Sequence, residues 1–334
     1  MRAVVFQEEG VGGFPSREEL IEVWREELRD VPQIERIEFY NKMRRETDPE
    51  QAIGDAEIVL GTYITDGFLN EAFLDRHPKL NYISTQSHGF GRIDMELLRK
   101  RKIVFTNTVY GDRTIAQFAF ALLLDICHDV GLHDNYYRTE YWKEDHSSGI
   151  TSIQSRQIEL YGKTFGIVGL GTIGLCAARI AAAFGMNVVA YSRNQKTGAE
   201  YDLIEQVSFE ELLARSHVIS LHCPLTEQTR GLINSDIISK MKDGVILLNT
   251  ARGEIVDEDA LAQALRSGKV YAAGLDVLAG EPLNQPSVLM ACPNVRVTPH
   301  MAWAPAEAKV RSVRMEAETL KKWLRGEPIR NFAK

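Results

Sequence analysis

Gly169, Gly171 and Gly174 stand in a Gly-x-Gly-x-x-Gly spacing, directly after the apolar run 165–168 and directly before the alanine-rich, helix-patterned stretch 175–184. A strand, a glycine turn and a helix in that order allow few folds. Gly169 permits the tight turn out of the strand, Gly171 lets a ligand come close to the backbone, and Gly174 lets helix and strand pack together. The start of the helix adds the amides of Thr172 and Ile173 and the positive end of a dipole, which together suit a pyrophosphate. The segment therefore predicts a dinucleotide cofactor site, with a plain structural turn as the competing reading.

The rest of the chain alternates short apolar runs with amphipathic stretches of helix length, the pattern of a parallel α/β fold. Early strands are expected at 2–6, 35–40, 57–62, 80–85 and 102–106, with helices such as 17–28 and 94–100 between them. That is a small doubly wound unit. A strongly apolar helix at 116–127 precedes the polar, aromatic-rich stretch 131–160, which has no regular period and reads as a connector. A second βα series places strands at 164–168, 187–191, 217–222, 245–249, 271–275 and 295–298, enough for a complete dinucleotide-binding sheet. A helix at 304–324 closes the chain. At 334 residues the chain exceeds what one core usually organises, so two doubly wound domains are expected.

Charge narrows the partners. The formal net charge is −7 with no basic block, so nothing supplies the field that nucleic acid or an anionic membrane surface requires. The first apolar run is too short for a signal segment, which predicts a cytoplasmic protein. Cys127, Cys176, Cys223 and Cys292 lie far apart without a Cys-x-x-Cys pair, so neither disulfides nor a metal site is expected.

After the strand at 187–191, a fold of this type that prefers NAD usually places an acid for the ribose 2′-hydroxyl. Here the chain reads Tyr191-Ser192-Arg193, with Lys196 nearby. A hydroxyl and positive charge suit a 2′-phosphate, so NADP(H) is expected ahead of NAD(H). The competing reading makes Arg193 a solvated residue that at most stacks on adenine.

Three polar stretches follow the carboxyl ends of later strands, where open α/β sheets bind ligands. They contain Arg252, then Asp276 leading to Glu281, then His300 leading to Trp303. Reduction of a 2-oxo acid needs a cation for the carboxylate, a proton donor for the carbonyl oxygen, and a partner that keeps the donor protonated. Arg252, His300 and Glu281 supply these in turn. Each alone has a structural reading, as a cap, a buried histidine or a surface acid; together those readings lose force.

Taken with Leu221 to Thr226, Asn249 to Asp257, Ala273 to Val277, Glu281-Pro282 and Thr298-Pro299-His300, the glycine motif resembles the D-isomer-specific 2-hydroxyacid dehydrogenase family across nearly the whole chain. The resemblance implies a flavodoxin-like substrate domain of residues 1–112 and 304–334, interrupted by a Rossmann NAD(P)-binding domain of residues 113–303, with a cleft between them and a homodimer formed through the cofactor domains. It implies His300 as acid/base, Glu281 as its partner and Arg252 as carboxylate anchor. Cys223, Pro224, Thr229, Thr250 and Ala251 fall where the family lines its cofactor, and Asp276 where it meets the nicotinamide carboxamide. The stretch Gln86 to Asp94 is similar to the family's substrate loop, which assigns His88 and Gly89 to the substrate, with a glycine-rich turn as the alternative. Two departures stand out: Gly91 replaces the usual Asn or Asp, and the stretch 107–113 lacks the usual proline.

Glu281 disfavours formate as substrate, because relatives of that type carry Gln there. The chain ends soon after its closing helix, which leaves no room for the regulatory domain that phosphoglycerate dehydrogenases often append. Trp303 is similar to glycerate and hydroxypyruvate reductases and is assigned to the substrate, so glyoxylate or hydroxypyruvate is the favoured substrate. Two other readings stay open at this point: an NAD(P)-sensing interaction protein of corepressor type, and a phosphite-type dehydrogenase.

Overall fold

The computed structural model describes residues 1–41, 48–62, 69–89, 93–144 and 152–333. The chain divides into two compact units, Met1–Gly111 with Ala304–Lys334, and Asp112–Trp303.

The first unit is built on a five-stranded parallel sheet: β1 (Arg2–Phe6), β2 (Arg36–Tyr40), β3 (Ile58–Gly61), β4 (Tyr82–Thr85) and β5 (Val104–Asn107), in the order β2-β1-β3-β4-β5. Strand β1 shows why these runs are apolar throughout. Val4 and Phe6 enter one core and Ala3 and Val5 the other, because successive side chains point to opposite faces and both faces are covered. The helix Arg17–Leu28 covers part of one face with Leu20, Trp24 and Leu28, and it starts at a Ser16–Glu19 capping box. The order reverses between β1 and β3, which is the topological switch of this sheet.

The second unit carries seven parallel strands: β6 (Thr164–Val168), β7 (Asn187–Tyr191), β8 (Glu205–Gln206), β9 (Val218–Leu221), β10 (Val245–Asn249), β11 (Val270–Leu275) and β12 (Val295–Val297), ordered β12-β11-β10-β9-β6-β7-β8. The switch lies between β6 and β9, so the glycine turn leaves the sheet at its reversal point. Packing of the helix Asp112–His128 brings Phe120 onto Phe165 of β6, with ring centroids 5.2 Å apart.

The stretch expected as a connector is partly helical. Val130–Thr139 forms a helix and Tyr141–Lys143 a 3-10 turn. That helix buries none of its residues, so it has no core-facing stripe for periodicity to reveal. The two-residue strand β8 was also outside expectation, since Glu205 and Gln206 carry no apolar pattern.

Candidate active site

The turn after β6 has the shape a pyrophosphate needs. Gly169 has φ of 104°, and a Cβ there would sit 2.6 Å from the Cys223 amide nitrogen. A Cβ at Gly174 would come 2.4 Å from the Gly169 carbonyl oxygen, so this position is closed by packing. At Gly171 nothing lies within 4 Å of the Cβ position, which leaves the backbone open to a ligand. Gly171 also caps the helix Thr172–Ala183 without a side-chain acceptor, so no protein group competes for the start of that helix. At the end of β10, the Thr250 hydroxyl is buried without a hydrogen-bond partner, a state that a bound ligand relieves. These residues fit a dinucleotide.

Three strand ends then bring the charged side chains together. After β10, the buried Asn249 accepts from the Ala251 amide at 3.0 Å and donates to the Arg252 carbonyl at 2.9 Å. This staples the loop that presents Arg252, whose Nη1 donates to the Ala251 carbonyl at 2.6 Å. After β11, Asp276 is fully buried, and its carboxylate accepts from Thr298 Oγ1 at 2.7 Å and from the amides of Met301 and Ala302 at 2.8 Å each. Those donors all belong to the segment that carries His300. His300 has φ of 51°, a left-handed conformation unusual for a residue with a side chain, and its amide donates to the Asp276 carbonyl at 2.8 Å. The Trp303 indole donates to the His300 carbonyl at 2.7 Å.

His300 Nδ1 lies 2.8 Å from Glu281 Oε2, while Glu281 Oε1 accepts from the Leu278 amide at 2.7 Å. One carboxylate oxygen is thus fixed by the backbone and the other orients the imidazole, which leaves Nε2 for a reacting atom. Arg252, Glu281 and His300 line one cavity of about 300 Å³ together with Leu225, Glu254 and Leu278. The His300 side chain is 42 % exposed, so substrate and solvent both reach it. Burial pushes His222, just past β9, down to about 4, and its Nε2 lies 2.9 Å from Ser220 Oγ, so that imidazole stays neutral.

The family model for the NAD binding domain of D-isomer specific 2-hydroxyacid dehydrogenases matches residues 120–302. The chain belongs to that family. A hydroxypyruvate reductase of Blautia hydrogenotrophica is 38% identical over 287 residues, covering 85% of this chain and 88% of that one. A glyoxylate reductase of Aeropyrum pernix is 40% identical over 271 residues, 80% of each chain. Among solved structures, the D-lactate dehydrogenase of Aquifex aeolicus complexed with NAD and lactic acid is 30% identical, with a TM-score of 0.73 over 98% of this chain and 96% of that one. This D-2-hydroxyacid dehydrogenase is therefore an oxidoreductase that acts on CH–OH groups with a nicotinamide cofactor.

The remaining expected residues of the dehydrogenase fall into three groups. Around the turn, Ser192 Oγ donates to the Asn194 carbonyl at 2.7 Å, which commits its proton, while Arg193 is exposed. Burial pushes the Cys223 thiol up and the Arg193 guanidinium opposes the shift, so this cation acts on the Cys223–Pro224 segment. Thr229 donates to the Pro224 carbonyl at 2.7 Å and shapes that segment from within. Two of the expected residues also have structural tasks. The Asp276 carboxylate is taken up by the 298–302 segment, and the polar edge of Trp303 by His300, so both hold the histidine in place. In the first unit, Asn107 Nδ2 donates to the His88 carbonyl at 2.7 Å, and Gly89 is exposed. Gly91 lies outside the described residues.

Asn249 and the Leu278 amide were not singled out in the sequence. Asn249 had a usable signal, because asparagine at a strand end readily bonds its own following backbone. The role of Leu278 had none. Among the described residues, no group of His, Cys, Asp and Glu could hold a metal ion, and no single helix is long and apolar enough to cross a membrane.

Proposed function

We propose that the enzyme reduces glyoxylate or hydroxypyruvate, with NADP(H) favoured over NAD(H). The observation that carries this reading is the His300–Glu281 pair opening onto the same cavity as Arg252. Arg252 binds the substrate carboxylate through its planar fork and polarises the neighbouring carbonyl. His300, held by Glu281, gives a proton from Nε2 to the carbonyl oxygen and is reprotonated from solvent. When bound, the dihydronicotinamide supplies the hydride for the carbonyl carbon, and the product is the 2-hydroxy acid.

The amides of Gly171, Thr172, Ile173 and Gly174 meet the pyrophosphate, with Gly169 making the turn. Cys223, Pro224, Thr250 and Ala251 line the cofactor, and Arg193 takes the 2′-phosphate, with Ser192 beside it. In the first unit, the substrate domain of this reading, His88 and Gly89 offer backbone amides to the carboxylate. The relatives, named for 2-oxo acid reductases and 2-hydroxy acid dehydrogenases, favour neither a corepressor-type sensor nor phosphite oxidation.

The enzyme works in the cytoplasm as a homodimer, with neither nucleic acid nor membrane as partner. Exposed Val130, Leu132, Tyr137 and Trp142 on the Val130–Thr139 helix and the turn after it support the dimer, because apolar side chains gathered on a surface call for a partner. Initial rates of NADPH and NADH oxidation over glyoxylate, hydroxypyruvate, pyruvate, phenylpyruvate and longer 2-oxo acids test the reading. Turnover greatest with the two smallest polar acids and NADPH is expected; no turnover on any of them overturns it.

A further inference from the structure

One carboxylate of the cavity takes no part in the mechanism above. Glu254 lines the same space of about 300 Å³ as Arg252, Glu281 and His300, all of them within the second unit. Its backbone is held on both sides. Before it stands Gly253, where a Cβ would come 2.0 Å from the Leu278 carbonyl carbon, so the chain is pressed against the residue whose amide holds Glu281. After it stands the fully buried Ile255, whose carbonyl accepts from the Ile233 amide at 3.0 Å, while the Glu254 carbonyl accepts from the Gly231 amide at 2.8 Å. The 3-10 turn Gly253–Ile255 thus fixes where Glu254 and the preceding Arg252 leave the backbone.

Other acids on this face have structural work. Glu281 accepts from the Leu278 amide and orients His300, and Glu258 accepts from the Ala279 amide at 2.7 Å and from Ser287 Oγ. The half-buried Glu254 side chain makes no hydrogen bond or ion pair among the described residues. Besides His300, Arg252 is the one cation among the described residues that line the cavity. When a substrate carboxylate sits on Arg252 and Glu281 offsets a protonated His300, these charges cancel in pairs and the Glu254 carboxylate is left over. A further negative group on the substrate then enters a confined space that already holds an uncompensated negative charge, where like charges repel more strongly than in bulk water. Such an unpaired charge is one way for a site to turn a competitor away. A hydroxyl or a hydrogen in the same place meets no such opposition.

We propose that Glu254 is a specificity-determining residue that restricts the enzyme to 2-oxo acids with a single negative charge and turns away those with a second carboxylate or a phosphate. This rests on the 2-oxo acid reading above, with Arg252 as the carboxylate anchor. The test is kcat/KM of the full-length enzyme at saturating NADPH for glyoxylate, hydroxypyruvate and oxaloacetate, the last bearing a carboxylate where hydroxypyruvate has its hydroxyl. The wild type should prefer hydroxypyruvate over oxaloacetate by about tenfold or more. Glu254→Gln keeps the shape and removes the charge, so it should narrow that ratio by about tenfold, and Glu254→Lys should narrow it further. Exclusion by size, or repulsion by the net charge of −7 spread over the molecule, would leave the ratio nearly the same in Glu254→Gln. A wild type without the preference overturns the proposal, and so does a folded Glu254→Gln enzyme that keeps it. A fall in NADPH affinity in that variant, read by fluorescence titration, would make Glu254 a cofactor ligand instead. If neither variant folds, salt decides: the wild-type preference should shrink as salt screens the charge, and a ratio indifferent to salt overturns the proposal. Turnover of glyoxylate and hydroxypyruvate without the preference sinks the role of Glu254 alone, whereas no turnover on all three acids sinks the reading and this role with it.

Discussion

His300 Nδ1 sits 2.8 Å from Glu281 Oε2 across a separation of 19 residues, and the Leu278 amide holds the other oxygen of the Glu281 carboxylate. The pair should behave as one device. His300→Gln should lower kcat for reduction by about 10² to 10⁴, the usual worth of a positioned acid/base, and Glu281→Gln should be milder. The double variant should be little worse than His300→Gln alone, because groups that act as a unit are not additive. A double-mutant cycle on kcat measures this, and independent multiplicative losses would break the assignment.

Arg252→Lys keeps the positive charge but loses the two-donor fork, so the substrate carboxylate is no longer fixed in a plane. We expect kcat/KM to drop by about a hundredfold, the scale of loss when a reactant is misplaced by an ångström. Dinucleotide affinity, read by fluorescence titration, should stay near the wild-type value. Normal turnover in this variant would make Arg252 a structural residue.

Asp276→Asn removes one acceptor from a carboxylate that serves Thr298, Met301 and Ala302. A buried donor left without its acceptor costs about 1 to 3 kcal/mol, so the melting temperature should fall. The same loss loosens the left-handed His300 backbone, so kcat should fall with it while NADPH affinity holds. Loss of dinucleotide binding as well would place Asp276 at the nicotinamide.

Arg193→Ala should weaken NADPH far more than NADH. A charge-assisted bond to phosphate contributes roughly 1.5 to 3 kcal/mol, or about ten- to a hundredfold in affinity. Binding titrations with both cofactors decide this, and equal losses for the two would remove Arg193 from the 2′-phosphate.

Glu316 gives the fold a pH signature. Burial lifts its carboxyl from 4.5 to about 7, so between those values the native state holds a proton that the unfolded state has released. Stability therefore declines as pH rises through this window and levels off above it, by at most roughly 3 kcal/mol. Lys309 and Tyr82 face the same carboxylate; the ordinary and shifted values of both lie above the window, so neither reverses the sign. Urea midpoints for wild type and Glu316→Gln at about pH 5 and about pH 8 should differ in slope, the variant being flatter. Parallel slopes would show that Glu316 is not carrying the effect.

Much of this was legible because the sequence signals were local. Strands such as β1 and β10 are apolar runs buried on both faces, and Arg252, Glu281 and His300 stand out as polar residues just past such runs. The helix Thr172–Ala183 begins three residues ahead of the apolar stretch at 175, because Gly171 rather than an apolar residue sets its start. The Val130–Thr139 helix escaped notice because it faces no core. Lys309 and Glu316 escaped for the opposite reason: on an amphipathic pattern they read as solvated charges, and only the packing of the closing helix shows them buried. Asp276 was recognised as a site residue, but what its carboxylate holds depends on donors more than twenty residues away.

Proton and hydride must reach one carbonyl group in this cavity. NADPH oxidation followed alongside chiral analysis of the acid formed from hydroxypyruvate, in wild type and in His300→Gln, tests this most directly. One 2-hydroxy acid should form per dinucleotide consumed, all of it the D enantiomer, with both signals nearly lost in the variant. Racemic or L product, or full turnover without His300, would contradict it.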